Sequence, residues 1–149
     1  ATEARQVLEE AITGLVFKGN KAALETVMAK AQEILNNSGR YLAGSIEGLQ
    51  EAFDKAKIVY DDLEAVQDEI NAAVAELTKE VEEVRLLGDV DLNGVVNAAD
   101  SALLLQYSVG LKELTEEQIL IGDVNADNET NTTDATRILQ MAAEKITTF

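Results

Sequence analysis

The chain of 149 residues has no cysteine, no histidine and no proline. Without thiolate or imidazole side chains there is no zinc site of the usual kind, no cysteine or Ser–His nucleophile and no haem ligand. The missing cysteine does not by itself fix the compartment. Aromatic residues make up only 4% of the chain, while 46% is apolar, a composition that reads as a helical bundle. Basic side chains are also scarce, 12 against 28 acidic ones, for a net charge of -16. Nucleic acid and anionic membranes both need basic patches, so neither is an expected partner. No apolar run approaches the roughly 18 residues of a membrane span. No signal peptide is visible, and Ala1 is expected to be a cut inside a longer chain.

The acid is unevenly spread. Residues 1–87 carry 17 acidic and 9 basic side chains, and residues 88–149 carry 11 and 3, so each part has a net charge of -8. The shorter part concentrates its charge in two stretches of short oxygen side chains. Counting from Asp89, the residues Asp89, Asp91, Asn93, Asn97 and Asp100 fall at positions 1, 3, 5, 9 and 12. Position 7, Val95, offers its backbone carbonyl, and position 6 is Gly94, where the chain must turn sharply. A hard cation that takes six to eight oxygens needs this donor density, and calcium accepts such irregular geometry more readily than magnesium does.

The pattern returns 34 residues later with Asp123, Asn125, Asp127, Asn131 and Asp134, and with Glu129 at position 7. Asn128 replaces the glycine, and Asn tolerates a left-handed backbone better than most residues. Gly-Asp-Val opens both copies, and Leu-Gln recurs in register at 105–106 and 139–140. Two loops in register predict two calcium ions, which would halve the charge of this part. Each loop is expected to gather three carboxylates, which would repel one another without a cation. Two such loops favour an extracellular setting, where calcium is plentiful. The alternative is a pair of polar loops that cap helices without metal.

The first part predicts four helices from apolar spacing. Residues 3–17 carry Val7, Leu8, Ala11, Ile12, Leu15 and Val16, with Gly19 expected as the C-cap. Residues 21–36 follow, with Leu24, Val27, Ala31 and Ile34 in the stripe. A third helix is expected from Ser45 to Tyr60 and a fourth from Leu63 to Val84. The acidic pairs Asp61–Asp62 and Glu82–Glu83 read as a helix-terminal turn and a solvated face rather than as acid–base chemistry. Tyr41 and Tyr60 read as core edge rather than as a sugar platform. No catalytic residue is expected.

The last three of these helices can close a bundle. The run Ala65-Val66-Gln67-Asp68-Glu69-Ile70-Asn71-Ala72-Ala73, followed by Leu77, resembles the signature of the FIVAR module, a three-helix bundle of large secreted bacterial enzymes; Ile46 stands where that family often has Trp. The resemblance covers roughly residues 21–85. Residues 1–20 are then the end of a preceding module or an extra helix on the bundle.

After each calcium loop a helix is expected, one ending at Gly110 and the other running from Thr132 to Lys145. Position 12 of each loop falls in the first turn, where a carboxylate suits the helix dipole. Thr115-Glu116-Glu117-Gln118 predicts a capped short helix between them, reaching Ile121. Too little chain is left for an incoming helix before either loop, unlike an EF-hand sensor. Leu103-Leu104-Leu105 spans about 200° of a helix, more than a small module can bury. Leu104, paired with Ile138 in the repeat, is the expected core member. Leu103 or Leu105, with Ala99, Ala102 and Val109, is expected to form an apolar patch for a partner, unless the bundle covers it.

A duplicated loop-then-helix unit opening with Gly-Asp-Val, with Asp at position 12, resembles the dockerin family over residues 87–147. The resemblance implies an F-hand fold that forms around calcium and docks onto a cohesin domain. Its contact positions fall on Ala98, Ala99, Leu105, Gln106 and Gly110 in the first copy and on Thr132, Thr133, Leu139, Gln140 and Glu144 in the second. The residues common in cellulosomal dockerins at these places are missing from the first copy. The two faces also differ, which disfavours interchangeable orientations.

The expectation is therefore an all-α chain of three parts: an N-terminal helix (1–20), a FIVAR-like bundle (21–86) and a dockerin-like domain (87–149). FIVAR followed by dockerin resembles the C-terminal end of secreted clostridial glycoside hydrolases, hyaluronidase-type toxins among them, so the expected role is non-catalytic and extracellular. The rival readings are a calcium-stabilised structural module without a partner and a carbohydrate-binding bundle.

Overall fold

The computed structural model describes residues 2–13 and 18–149. Among the described residues the chain is all-helical, its only β pairing being a single antiparallel bridge between Tyr41 and Leu86. The elements are α1 (Thr2–Thr13), α2 (Ala22–Asn36), a 3₁₀ turn (Ser38–Arg40), α3 (Ala43–Asp61), α4 (Gln67–Glu83), α5 (Ala98–Ser108), α6 (Glu116–Gly122) and α7 (Thr132–Ala142).

In α1, Val7 and Leu8 are exposed, at 66% and 61%, so this part of the predicted stripe does not bury itself on the bundle. The predicted continuation over 14–17, with Leu15 and Val16, lies outside the described residues, as do the side chains of Ala11 and Ile12. Gly19 has no left-handed backbone and is no C-cap of that kind. Its N–H donates to the Ala65 carbonyl (3.1 Å), and a Cβ there would stand 2.3 Å from Ile70 Cδ1. The chain thus enters α2 by lying against the start of α4, and a side chain at 19 would keep the two apart.

Helices α2, α3 and α4 pack together as the expected bundle. Leu24, Leu49, Ile70 and Leu77 fill its centre with no exposed surface, and Ala31, Ala52 and Ala56 let the helices approach closely. At about 25 cal/mol per Å² of apolar surface, each large side chain withdrawn from water adds roughly 1.5–3 kcal/mol. Val27, Met28, Ile46, Phe53, Tyr41 and Tyr60 flank this centre half-buried, so both tyrosines are core edge.

Two boundaries differ from expectation. α3 begins at Ala43, two residues early, and Ser45 lies inside its first turn, with Oγ donating to the Leu42 carbonyl (2.7 Å). α4 begins at Gln67, not Leu63. Asp62 terminates α3 and uses Oδ1 to accept from Glu64 N (2.9 Å), a local turn that competes with helix and leaves Leu63 75% exposed. The reversal buries Ala65, and Glu69 Oε2 then caps α4 by accepting from Val66 N (3.1 Å). Gln67 Oε1 accepts from Asn20 N (2.8 Å). The residues Ala65–Ala73 therefore start α4 and anchor the chain entering α2.

The second core is separate. Val90, Leu104, Val124, Ala135 and Ile138 are buried together, with Val96, Leu103, Tyr107, Leu114 and Phe149 around them. Its members come in pairs 34 residues apart, Val90 with Val124 and Leu104 with Ile138. α5 and α7 pack against each other, and Ser101 Oγ donates across them to the Ala135 carbonyl (2.7 Å). The repeat in sequence is thus a repeat in space, each copy burying the apolar face that the other cannot cover alone.

Candidate metal centre

Each loop wraps its own backbone around its first and last carboxylates. In the first, Asp89 Oδ1 accepts from Asn93 N (3.0 Å) and Oδ2 from Gly94 N (2.8 Å). Asp100 Oδ1 accepts from Asp91 N (3.0 Å) and Oδ2 from Asn97 N (2.8 Å). The second loop repeats this: Asp123 accepts from Asp127 N (3.2 Å) and Asn128 N (2.9 Å). Asp134 accepts from Val124 N (3.2 Å), Asn125 N (3.3 Å) and Asn131 N (3.0 Å). Asp100 and Asp134 have no exposed surface, and Asp89 is 5% exposed. Charged groups are rarely so buried unless hydrogen-bonded or coordinated.

Position 9 caps a helix in both copies, a role the sequence offered only in its metal-free alternative. Asn97 Oδ1 accepts from Ala99 N (2.7 Å), and Asn131 Oδ1 from Thr133 N (2.8 Å), so each is the N-cap of the following helix. Position 12 returns a bond to the cap residue's own N–H, which completes a capping box. The last four loop residues therefore start α5 and α7 while their carboxylates face the loop. The expected metal residues Asn97 and Asn131 serve first as caps, which fits a position that often reaches the cation through water. The amides of Asn97 and Asn131 also lean on the position-7 carbonyls of Val95 (3.2 Å) and Glu129 (3.4 Å). The signal was present: Asn three residues before Asp at a helix start is a capping pattern as well as a ligand pattern.

In the first loop, carboxylate oxygens of Asp89, Asp91 and Asp100 lie within 4.8 Å of one another. Burial pushes the Asp89 carboxyl above the ordinary carboxylate range, and the Asp91 charge adds to that, against the pull of the Gly94 and Asn93 N–H groups. Asp100 is likewise raised by burial and by Asp91 and Asp89, against the N–H groups of Asn97 and Asp91. A cation among them would remove the mutual repulsion and reverse these shifts. The donors are carboxylates, the Asn93 amide oxygen and the Val95 carbonyl, all hard oxygens. They fit calcium, and these residues would hold it.

The second loop departs from expectation. Its carboxylates, Asp123, Asp127, Glu129 and Asp134 at positions 1, 5, 7 and 12, form among the described residues no grouping as tight as the first. Asp127 Oδ2 accepts from Asn125 Nδ2 (2.9 Å) and Oδ1 from Glu129 N (2.9 Å), the latter matching the bond from Val95 N to Asn93 Oδ1 (2.8 Å) in the first loop. A second correction concerns the approach. The chain enters this loop from α6, which runs through Gly122 up to Asp123, so one loop does have a short incoming helix. The Thr115–Gln118 capping box starts it as expected, with Gln118 N donating to Thr115 Oγ1 (3.2 Å) and Thr115 N to Gln118 Oε1 (3.0 Å). Gln118 Nε2 then reaches the Val90 carbonyl (2.8 Å) and Thr130 Oγ1 the Ile119 carbonyl (2.8 Å), so α6 ties the two loops together.

The expected contact residues lie on α5 and α7. Ala98, Ala99, Ala102, Leu105, Gln106 and Val109 are exposed on the first helix and its end. Thr132, Thr133, Leu139 and Gln140 are exposed on the second. Leu104 is fully buried, as the repeat predicts. Of the two flanking leucines, Leu103 turns half-buried onto the domain's own core, while Leu105 stays 44% exposed. Leu103 is therefore a packing residue here. Val109 at 66% and Leu139 at 48% extend the exposed apolar surface, so the bundle does not cover it. α7 ends at Ala142, three residues short of the expected Lys145, because Glu144 takes the left-handed backbone (φ 55°) that Gly110 takes after α5 (φ 73°).

No curated protein and no solved structure matches the chain. The described residues include no helix long and apolar enough to cross a membrane. One family model does match, and it falls on the two loops and their helices: residues 87–141 hold a dockerin type I domain, a module that binds calcium and implies a cohesin partner.

Proposed function

We propose that this chain is a non-catalytic part of a larger secreted carbohydrate-active enzyme of the glycoside hydrolase kind, with hyaluronidase-type toxins among the candidate parents. Its dockerin domain supports a calcium-dependent assembly role by binding a cohesin, and the helical bundle, read as a FIVAR module, serves as its spacer and support. Two calcium ions order residues 88–146, one per loop, so that metal binding is folding energy for this half. The exposed faces of α5 and α7 then meet the cohesin. The carboxylate group of Asp89, Asp91 and Asp100 carries the reading, since two buried charges and an exposed third within 4.8 Å repel one another unless a cation lies among them.

Both faces carry an exposed Leu-Gln pair, Leu105–Gln106 and Leu139–Gln140, but the first adds Ala98, Ala99, Ala102 and Val109 where the second adds Thr132 and Thr133. This difference supports one preferred orientation on the cohesin rather than two equivalent ones. The test is a pull-down from proteins secreted by the source cell, with this chain as bait, in calcium and in EDTA, followed by mass spectrometry. A cohesin-bearing protein recovered only in calcium supports the proposal. Recovery of the same protein in EDTA contradicts calcium control, and an empty eluate in both overturns the adaptor role.

A further inference from the structure

The five residues between α4 and the first loop are not a free linker. Leu42 N donates to the Arg85 carbonyl (2.8 Å) and Leu87 N to the Arg40 carbonyl (2.9 Å), which makes the Tyr41–Leu86 bridge. Ser45 Oγ, while donating to Leu42 O, accepts from Arg85 N (2.9 Å). The Arg85 guanidinium donates to the Glu82 carbonyl at the end of α4 (2.8 Å) and to Glu117 at the start of α6 (2.6 Å). One residue later the chain is already dockerin: Gly88 N donates to the Ile121 carbonyl (2.9 Å) and Asp89 N to the Leu86 carbonyl (3.2 Å).

The first metal ligand is thus hydrogen-bonded directly to a residue paired with the bundle. A cleft of about 550 Å³ lies between the two halves, with Ile34, Tyr41 and Val81 of the bundle on one side and Asp89, Leu92 and Gly94 of the first loop on the other. Among the described residues no ligand of the second loop is bonded in this way to a residue paired with the bundle; its entry, α6, is held to the junction by the Arg85–Glu117 pair and the Gly88–Ile121 backbone bond.

We infer that the bundle and the first calcium loop form one cooperative unit, in which docking of Val84–Gly88 on the 40–45 segment positions Asp89 for the cation, and cation binding in turn locks the bundle onto the dockerin. Ser45 and Arg85 are the positioning residues. Coupling of this kind is reciprocal: whatever the junction adds to calcium affinity, calcium adds to the junction. The bundle then acts as a rigid arm only while the loop is loaded. The inference rests on the calcium reading of the first loop.

The test uses the full chain and the Ser45→Ala/Arg85→Gln double variant, with calcium titrated against backbone amide signals. Gly94 N–H reports the first loop and Asn128 N–H the second. The expected result is an affinity at Gly94 weakened about fivefold or more in the variant, with a smaller change at Asn128. In the wild type, the Leu42 and Leu87 amides should exchange with solvent at least about tenfold faster in EDTA than in calcium, while those inside α3 keep their protection. Equal affinity at Gly94 in both proteins, or protection at Leu42 and Leu87 that ignores EDTA, overturns the coupling. If Gly94 fails to respond to calcium in the wild type, it is the calcium reading itself that falls. Selective weakening at Gly94 separates positioning from general destabilisation, which would move both loops together.

Discussion

The two loops of the dockerin domain share a backbone plan but not a charge plan. Both wrap positions 1 and 12 in N–H donors, both cap a helix with Asn at position 9, and both pass through left-handed residues at positions 4 and 6, Leu92 and Gly94 in one copy and Ala126 and Asn128 in the other. The first brings Asp89, Asp91 and Asp100 within 4.8 Å; the second, with carboxylates at positions 1, 5, 7 and 12, forms no group that tight among the described residues. The first is fastened to the bundle through Leu86, and the second is entered by α6. The backbone geometry of such a loop is therefore set by hydrogen bonds and caps and survives changes in which oxygens are charged. What changes is how strongly the loop needs a cation.

Removal of calcium should have the largest effect. A ligand present at about 1,000 times its Kd adds about 4 kcal/mol to the folded state. Calorimetric scans are expected to show the dockerin transition drop most in EDTA, with the α2–α4 transition falling only by the smaller amount that the junction couples to calcium. A bundle transition that falls equally would mean the two cores fold as one.

Asp100→Ala and Asp134→Ala probe the loops one at a time. The first leaves two N–H groups without their acceptor and the second leaves three. At about 1 kcal/mol per lost hydrogen bond, Asp100→Ala should destabilise the domain by about 2 kcal/mol and Asp134→Ala by about 3 kcal/mol even in EDTA. In calcium the order should reverse, with Asp100→Ala losing more because it also opens the tight carboxylate group. Equal losses in calcium would show that the two loops bind alike despite their charge plans.

A smaller contrast lies at the helix ends. Gly110 and Glu144 hold the same left-handed place, and such a backbone costs a non-glycine residue roughly 1–2 kcal/mol. Glu144→Gly should stabilise the dockerin transition by about 1 kcal/mol, and Gly110→Ala should destabilise it by a similar amount. Chemical denaturation in calcium measures both, and a destabilised Glu144→Gly would mean that the Glu144 side chain contributes more than its backbone costs.

The smallest effect is on pH dependence, and its sign separates the loaded and unloaded states. In EDTA the Asp89 and Asp100 carboxyls bind protons more tightly folded than unfolded, since burial raises both. Their contribution to stability therefore falls as pH rises through those raised values, and mild acidification should recover it. In calcium, protons compete with the cation, and the same acidification should weaken the domain. Melting temperatures between neutral pH and the ordinary carboxylate range, compared with Asp89→Asn/Asp100→Asn, check both signs.

The sequence made the helices of the bundle legible because their apolar spacing is regular, and it made the loops legible because calcium geometry dictates side-chain type residue by residue. The start of α4 was misplaced because Leu63 fits the helical stripe while the Asp62 turn competes locally and wins. The exposed Val7 and Leu8 show that an amphipathic pattern predicts a helix without saying what it packs on. The choice between Leu103 and Leu105 needed the tilt of α5 on α7, which three consecutive leucines do not encode. The role of Arg85 was hidden because its partners, Ser45 and Glu117, are distant in sequence and each is ordinary alone.

The central claim is that calcium builds the face that a partner binds. Its most direct test is calorimetric titration of a recombinant cohesin into the whole chain, in calcium and in EDTA, beside Leu105→Glu in calcium. The account predicts binding in calcium, loss of binding in EDTA and strong weakening by Leu105→Glu with the dockerin transition intact. Binding of equal strength in EDTA, or a Leu105→Glu protein that binds as the wild type does, would contradict it.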